Sequence, residues 1–175
     1  MRRVAVEPRS DWVRRVEEVG FTYHSLGNSP EDTDGVYWFE GAAYAFTAAE
    51  VDALEAATNE LHRLCLAAVD FAATKPEEMD RFGIRPEWMS YVTKSWARQA
   101  PHLMGRFDLA FDPATGAVKM LEYNADTPTL AIETSLVQWF WKEDRFPAAD
   151  QFNSFHEKLL ARFGDLRPRL PPGAV

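Results

Sequence analysis

The chain has 175 residues, 46% of them hydrophobic, and its 19 Lys and Arg against 27 Asp and Glu leave a formal net charge of −8. At roughly 100–200 residues per domain this is one domain's worth of chain with enough apolar residues for a core, which excludes disordered and collagen-like classes. The acidic balance argues against a general nucleic-acid or anionic-membrane surface, although a local basic cluster can still hold an anion.

The one cysteine excludes an internal disulfide and suits a reducing compartment, so a cytoplasmic location is expected. The first ten residues carry no long apolar run of the kind a signal peptide needs. No stretch of about 18 apolar residues exists to span a membrane, and the richest apolar region, Leu64 to Ala73, is broken by Asp70. Aromatic residues make up 13% of the chain and include 6 Trp, so many must be covered by a core or a partner.

Along the chain, Ser10 is placed to cap a short helix through Trp12, Val13, Val16 and Val19 that Gly20 ends. The segment from Asn28 to Gly35 reads as a loop, and Val36 to Phe39 with Tyr44 to Phe46 as strand or packed coil. Thr47-Ala-Ala-Glu50 fits a capping box. Val51, Leu54, Thr58, Leu61, Cys65, Ala68 and Ala72 follow it as one stripe of a long amphipathic helix, which Pro76 stops. Cys65 on that stripe reads as packing, since a catalytic thiol needs an electropositive, partly open setting. Further helices are expected over Pro86 to Gln99, Thr129 to Asp144 and Phe152 to Phe163. The Pro-rich end, residues 167–175, reads as a linker or truncated end after a domain over residues 1–166.

The segment richest in chemistry lies between these helices. Gly105-Arg-Phe-Asp-Leu-Ala-Phe-Asp112, a turn with Pro113 and Gly116, and Ala117-Val-Lys-Met-Leu-Glu-Tyr-Asn124 carry a hairpin signal. A turn made of Ala114, Thr115 and Gly116 puts Gly at the left-handed position. That register sets Asp108 opposite Glu122 and Arg106 opposite Asn124 on one face, with Phe107 and Leu109 meeting Tyr123 and Leu121 on the other. Two carboxylates directly opposite repel, so the face needs a compensating charge. Either Arg106 bridges the acids on a solvated face, or a hard cation such as Mg²⁺ takes oxygens from Asp108, Glu122 and Asn124.

Next, Asp126, Thr127 and Thr129 are each possible caps of the following helix, whose start also suits an anion. His24, His62, His102 and His156 are scattered, with no zinc spacing, and no Walker, Rossmann or nucleophile-elbow motif is present. Lys94 and Arg98 read as a solvated helix face or as part of an anion cluster with Arg106.

The Gly105–Asp112 run, followed by Lys119-Met-Leu-Glu-Tyr-Asn-Ala-Asp-Thr-Pro-Thr129, resembles the glutathionylspermidine synthase family of ATP-grasp-type ligases. Leu54 to His62, Val137 to Trp141 and Asp150 to Ser154 are similar to the same family, so the resemblance runs from about Trp38 to Arg162. It implies an α/β fold, a small mixed or antiparallel sheet with packed helices, like the pre-ATP-grasp portion of such a ligase. It implies ATP-dependent amide formation, in which a peptide carboxylate resembling glutathione's is phosphorylated and a polyamine-like amine attacks the acyl phosphate. On that basis Asp108, Glu122 and Asn124 would be Mg²⁺ ligands, and Arg106 would hold the peptide carboxylate and stabilise the transferring phosphoryl group. Thr127 and Thr129 would contact the peptide, where spermidine-making members look like they use Ser.

The family's ligases are about twice this long, so the chain is expected to be the amino-terminal portion, without the ATP-grasp half and inactive alone. Trp139 and Trp141 are then expected to favour self-association. The alternative is a non-catalytic module that captures an anionic ligand through Arg106 and the Thr127 helix start.

Overall fold

A computed structural model describes residues 1–25, 37–125, 129–171 and 173. Among the described residues it is a mixed α/β chain with two two-stranded antiparallel sheets and six α-helices, in agreement with the expected class. Its internal contacts divide it into two compact units, Met1–Ala48 with Pro128–Val175, and Ala49–Thr127.

The first unit opens with β1 (Arg2–Ala5), paired antiparallel with β2 (Ala42–Ala45) so that Arg2 faces Ala45 and Ala5 faces Ala42. Of the aromatic run expected as strand or packed coil, Val36 lies outside the described residues, Phe39 is exposed coil, and the strand begins at Ala42. Helix α1 (Trp12–Glu18) is preceded by Asp11 rather than capped by Ser10. The Asp11 carboxylate does not cap either, because Arg14 and Arg15 draw it sideways at 2.5 and 3.2 Å. Gly20 ends the helix, and the Phe21 N–H turns back to the Val16 carbonyl at 3.0 Å. Val16 and Phe21 bury themselves with Val137, flanked by Trp12, Val19, Trp38 and Ile132.

Beside this core lies a buried ion cluster. Arg9 donates from Nε to both Glu40 oxygens, from Nη2 to Glu40 Oε1, and from Nη1 to Asp144 Oδ2 at 2.7 Å. The Arg9 backbone N–H and the Trp38 indole N–H, each 3.1 Å away, complete the Glu40 carboxylate. Burying charges is costly unless they are paired and hydrogen-bonded, as these are. Burial works against the charged Arg9 guanidinium, but the bonds to Glu40 and Asp144 outweigh it and raise its pKa.

The helix expected from Thr129 opens at Ala131 and Ile132, passes through a π-helical turn, Glu133–Val137, and continues as α5 (Gln138–Arg145). The last helix, α6 (Phe155–Leu166), starts three residues later than expected. Asn153 spends its side chain on the connection instead, donating to the Thr134 carbonyl at 2.6 Å and accepting from the Phe155 N–H at 3.0 Å. A short 3₁₀ turn, Arg167–Arg169, follows.

The second unit is built on α2 (Ala48–Ala73). Its expected stripe is half-buried at Val51, Leu54, Thr58, Leu61, Cys65 and Ala72, whereas Ala68 is exposed. The helix stops short of Pro76, as the restriction on the residue before proline requires, and Pro76 then opens α3 (Pro76–Arg81). Helix α4 (Pro86–Ala97) is tied to the end of α2 by Thr93 Oγ1 donating to the Ala73 carbonyl at 2.9 Å and Trp96 Nε1 to Asp70 at 2.7 Å. Asp70, which breaks the apolar run in sequence, is thus the acceptor for a tryptophan. No helix among the described residues is long and apolar enough to cross a membrane.

Candidate functional site

The hairpin forms as expected from β3 (Gly105–Asp112) and β4 (Ala117–Ala125), antiparallel. Arg106 faces Asn124, Phe107 faces Tyr123 and Asp108 faces Glu122, the register read from the sequence. Closer to the turn the pairing differs from that reading, since Leu109 faces Met120 and Asp112 faces Ala117. The turn thus includes Pro113 as well as Ala114 to Gly116, and a bulge between Asp108 and Leu109 absorbs the shift. Leu121 is the residue left over, 70% exposed.

Gly116 takes φ +72° and its N–H returns to the Asp112 carbonyl at 2.8 Å, which explains the glycine. Asp112 holds the turn by accepting from Thr115 Oγ1 at 2.7 Å and the Ala114 N–H at 2.9 Å, and these bonds hold its carboxyl below the usual range. The bulge has a second effect. It pairs Lys119 with Ala110, and therefore puts Lys119 on the same face as Asp108 and Glu122, where an unbroken ladder would place Met120.

On that face Arg106 Nε donates to Asp108 Oδ1 at 3.1 Å. The Asp108 side chain stays 41% exposed, so the pair is open to solvent on one side. Glu122 lies directly across from Asp108, at a spacing where side chains interact, about 5 Å between Cβ atoms. Two positions along, the amide of Asn124 is half-buried and its Nδ2 is buried without a hydrogen-bond partner. The hard oxygens on this face are those of Asp108 and Glu122 and the Asn124 carbonyl, the oxygen type that Mg²⁺ takes, whereas the unsatisfied Nδ2 is an N–H donor that a cation cannot satisfy.

The opposite face anchors the hairpin. The Tyr123 ring stacks on Phe107 at 3.9 Å and 15°, and its hydroxyl meets His62 Nδ1 at 2.9 Å. A Cβ on Gly105 would stand 2.5 Å from the Tyr123 ring, so this position has to be glycine while Phe107 and His62 hold the ring in place.

The other expected site residues are placed as follows. Thr127 lies outside the described residues. Thr129 is exposed, in the first unit, and precedes Leu130, whose φ of +67° is strained for a branched side chain. Lys94 and Arg98 are exposed on and just after α4. Among the described residues no group of three or more His, Cys, Asp and Glu gathers to hold a metal. Sequence reasoning did not single out the buried carboxylate of Glu133, which accepts from both Tyr23 and Tyr37 at 2.9 Å. The available signal was an acid four residues before Val137, on a helix face otherwise apolar.

The model of the glutathionylspermidine synthase pre-ATP-grasp domain matches residues 3–174. The chain belongs to that family. A provisionally named acid–amine ligase of Haemophilus influenzae is 41% identical over 172 residues, which are 95% of this chain and 42% of that protein. The bifunctional glutathionylspermidine synthetase/amidase of Escherichia coli K12 is 31% identical over 104 residues, 59% of this chain and 16% of its own. Trypanothione synthetase of Crithidia fasciculata is 31% identical over 85 residues, 49% of this chain and 13% of its own. The chain thus spans under half the length of these pre-ATP-grasp relatives.

Proposed function

We propose that this chain supplies the metal- and carboxylate-binding part of an ATP-dependent acid–amine ligase. The observation that carries the reading is the register that places Asp108 against Glu122 and Arg106 against Asn124 on one strand face, in a chain of this family. In the reaction, a carboxylate oxygen of a small peptide resembling glutathione attacks the γ-phosphorus of ATP and ADP leaves. A polyamine-like amine then attacks the carbonyl carbon of the acyl phosphate, phosphate leaves with the C–O bond, and the nitrogen gives up a proton to become the amide.

Asp108, Glu122 and Asn124 would hold Mg²⁺, whose chemistry when bound is to neutralise phosphate charge. Asp108 accepts from Arg106 Nε, and Arg106 would meet the peptide carboxylate and the charge growing on the transferring phosphoryl group, a role that suits a guanidinium. By the family resemblance, Thr127 and Thr129 would be contacts to the peptide. A single hairpin of this kind lacks enough ligands to hold a nucleotide tightly, so this chain alone is expected to bind Mg²⁺ weakly and not to turn over. Non-catalytic capture of an anion is the weaker alternative, because Asp108 already neutralises part of the Arg106 charge. The proposal extends to self-association through Trp139 and Trp141; sedimentation as a monomer at high concentration would dismiss that part.

The test follows ADP release from the protein expressed from its full natural reading frame, with ATP, Mg²⁺, glutathione and spermidine, then with panels of other peptide acids and amines. ADP release that needs both an acid and an amine supports the ligase; none across the panels overturns it. On this chain itself, Mn²⁺ should broaden the NMR signals of Asp108, Glu122 and Asn124, and Asp108→Asn should abolish that broadening.

A further inference from the structure

Lys119 stands on the acid face of the hairpin only because the ladder is irregular. In an unbroken ladder it would share a face with Phe107 and Tyr123, and Met120 would lie beside the acids. The extra residue at Leu121 exchanges the two, so that Lys119 pairs with Ala110 and Met120 with Leu109. The exchange leaves both Leu121 and Met120 exposed.

Followed toward the turn, this face carries Arg106 opposite Asn124, then Asp108 opposite Glu122, then Ala110 opposite Lys119. Each step along β3 is two residues, or about 7 Å of strand. One cation therefore stands a single step from the acid pair on either side. Arg106 is already bonded to Asp108. Lys119 and Glu122 are both exposed, and among the described residues neither forms an ion pair. Asp112, the next residue on the face, is taken up by the turn through Thr115 and the Ala114 N–H. Ala110 has no side chain beyond Cβ, so its position across the ladder leaves the lysine room to swing.

An ammonium in this place has two possible uses. As a counter-ion it would close on Glu122 and ease the repulsion across the ladder, but no such pair forms. The other use follows from the charge balance of the face. Arg106 and Lys119 offset Asp108 and Glu122, so a divalent ion joining the face would leave it positive overall, which suits a polyanion. An ammonium is a point charge with three donors and suits phosphate oxygens, whereas the planar guanidinium fork of Arg106 also matches a carboxylate. The two cations flank the acids and differ in the anion each fits best.

We infer that Lys119 is a phosphate-binding residue, its ammonium meeting the nucleotide's phosphate chain on the side of the acid pair away from Arg106. This deepens the function proposed above and rests on it.

The test titrates inorganic triphosphate with a slight excess of Mg²⁺ into this chain and follows the backbone amide signals of residues 106–124 by NMR, with Mg²⁺ alone as a second titration. Saturable shifts with the triphosphate are expected, at a dissociation constant of order millimolar. Lys119→Met, at an exposed position, should keep the fold. It should weaken triphosphate binding by about threefold to tenfold, and leave binding of Mg²⁺ alone unchanged or up to about twofold tighter. That opposition separates a lost phosphate contact from a damaged hairpin, which would weaken both. Lys119→Arg keeps the charge and should restore most of the affinity. Lys158→Met removes the same charge from an exposed position on α6, in the other unit, and should change neither titration. No saturable shift with the triphosphate, equal affinity in Lys119→Met, an equal loss in Lys158→Met, or parallel weakening of Mg²⁺ and triphosphate would each overturn the contact. Absence of Mg²⁺ binding by the wild-type chain would reject the ion site of the proposed function and this contact together. Mg²⁺ binding with a triphosphate affinity indifferent to Lys119 would reject this contact alone.

Discussion

Two charge clusters in this molecule use the same residue types to opposite ends. Around Glu40, an arginine, an indole and a backbone N–H fill the carboxylate, and Arg9 and Glu40 are both buried. Around Asp108, an arginine takes one oxygen, a second carboxylate stands directly opposite, and an amide nearby is left unsatisfied. The first arrangement has no capacity left for a ligand and fixes the fold. The second leaves carboxylate oxygens exposed and like charges adjacent, which is unfavourable for the hairpin and is what the proposed cation site would use. In one chain, how fully a carboxylate is satisfied separates structure from chemistry better than its mere presence does.

The largest expected effect breaks the comparison on its structural side. Arg9→Ala strips the guanidinium from a carboxylate that stays buried, and should cost about 3–5 kcal/mol of stability, read as a large fall in the urea midpoint. Glu122→Gln should do the reverse: it relieves repulsion across the hairpin, leaves stability unchanged or raises it by roughly 0.2–1 kcal/mol, and removes Mn²⁺ broadening of the Asn124 signals. Comparable destabilisation by both variants would mean that the hairpin face is structural too.

Much of the second cluster was legible before the fold. Alternation along 105–112 and 117–124, with a turn near Thr115, was enough to pair Asp108 with Glu122, because strand periodicity leaves only a two-way choice of face. The bulge at Leu121 was not legible, since alternation cannot tell a longer turn with a compensating bulge from a shorter turn without one. The Arg9 cluster was invisible for a different reason: its members lie 31 and 135 positions apart, and nothing local in the sequence marks them as partners. The strand Arg2–Ala5 carries two arginines in four residues and becomes a strand only by pairing with Ala42–Ala45. Glu133 was passed over although it is a charge on an apolar helix face, because the two tyrosines that meet it lie more than ninety positions away.

A middle-sized effect sharpens the contrast on its chemical side. Deleting Leu121 removes the extra residue while leaving every observed cross-strand pair intact, because the shift between the two halves of the ladder is that one residue. Its side chain is mostly in water, so the deletion should cost less than about 1 kcal/mol. If the bulge serves to aim Glu122 at the ion, Mn²⁺ affinity should fall several-fold although Asp108–Glu122 cross-strand contacts persist. Unchanged affinity would reduce the bulge to a consequence of turn length.

The smallest effect concerns the turn that sets this register. Asp112 accepts from Thr115 and Ala114, and its carboxyl is held below the usual range chiefly by the Thr115 hydroxyl. A carboxyl whose pKa is lowered on folding adds stability above its unfolded value, near 3.9, and loses that contribution as the pH falls through the lower folded value. Asp112→Ala should therefore be slightly less stable than the wild type at neutral pH, and the gap should narrow as acid titration passes below about pH 4. Urea midpoints at a series of pH values measure it. A gap that does not change with pH would show that Asp112 acts through turn geometry rather than through its charge, and would remove electrostatics from the account of how Asp108 comes to face Glu122.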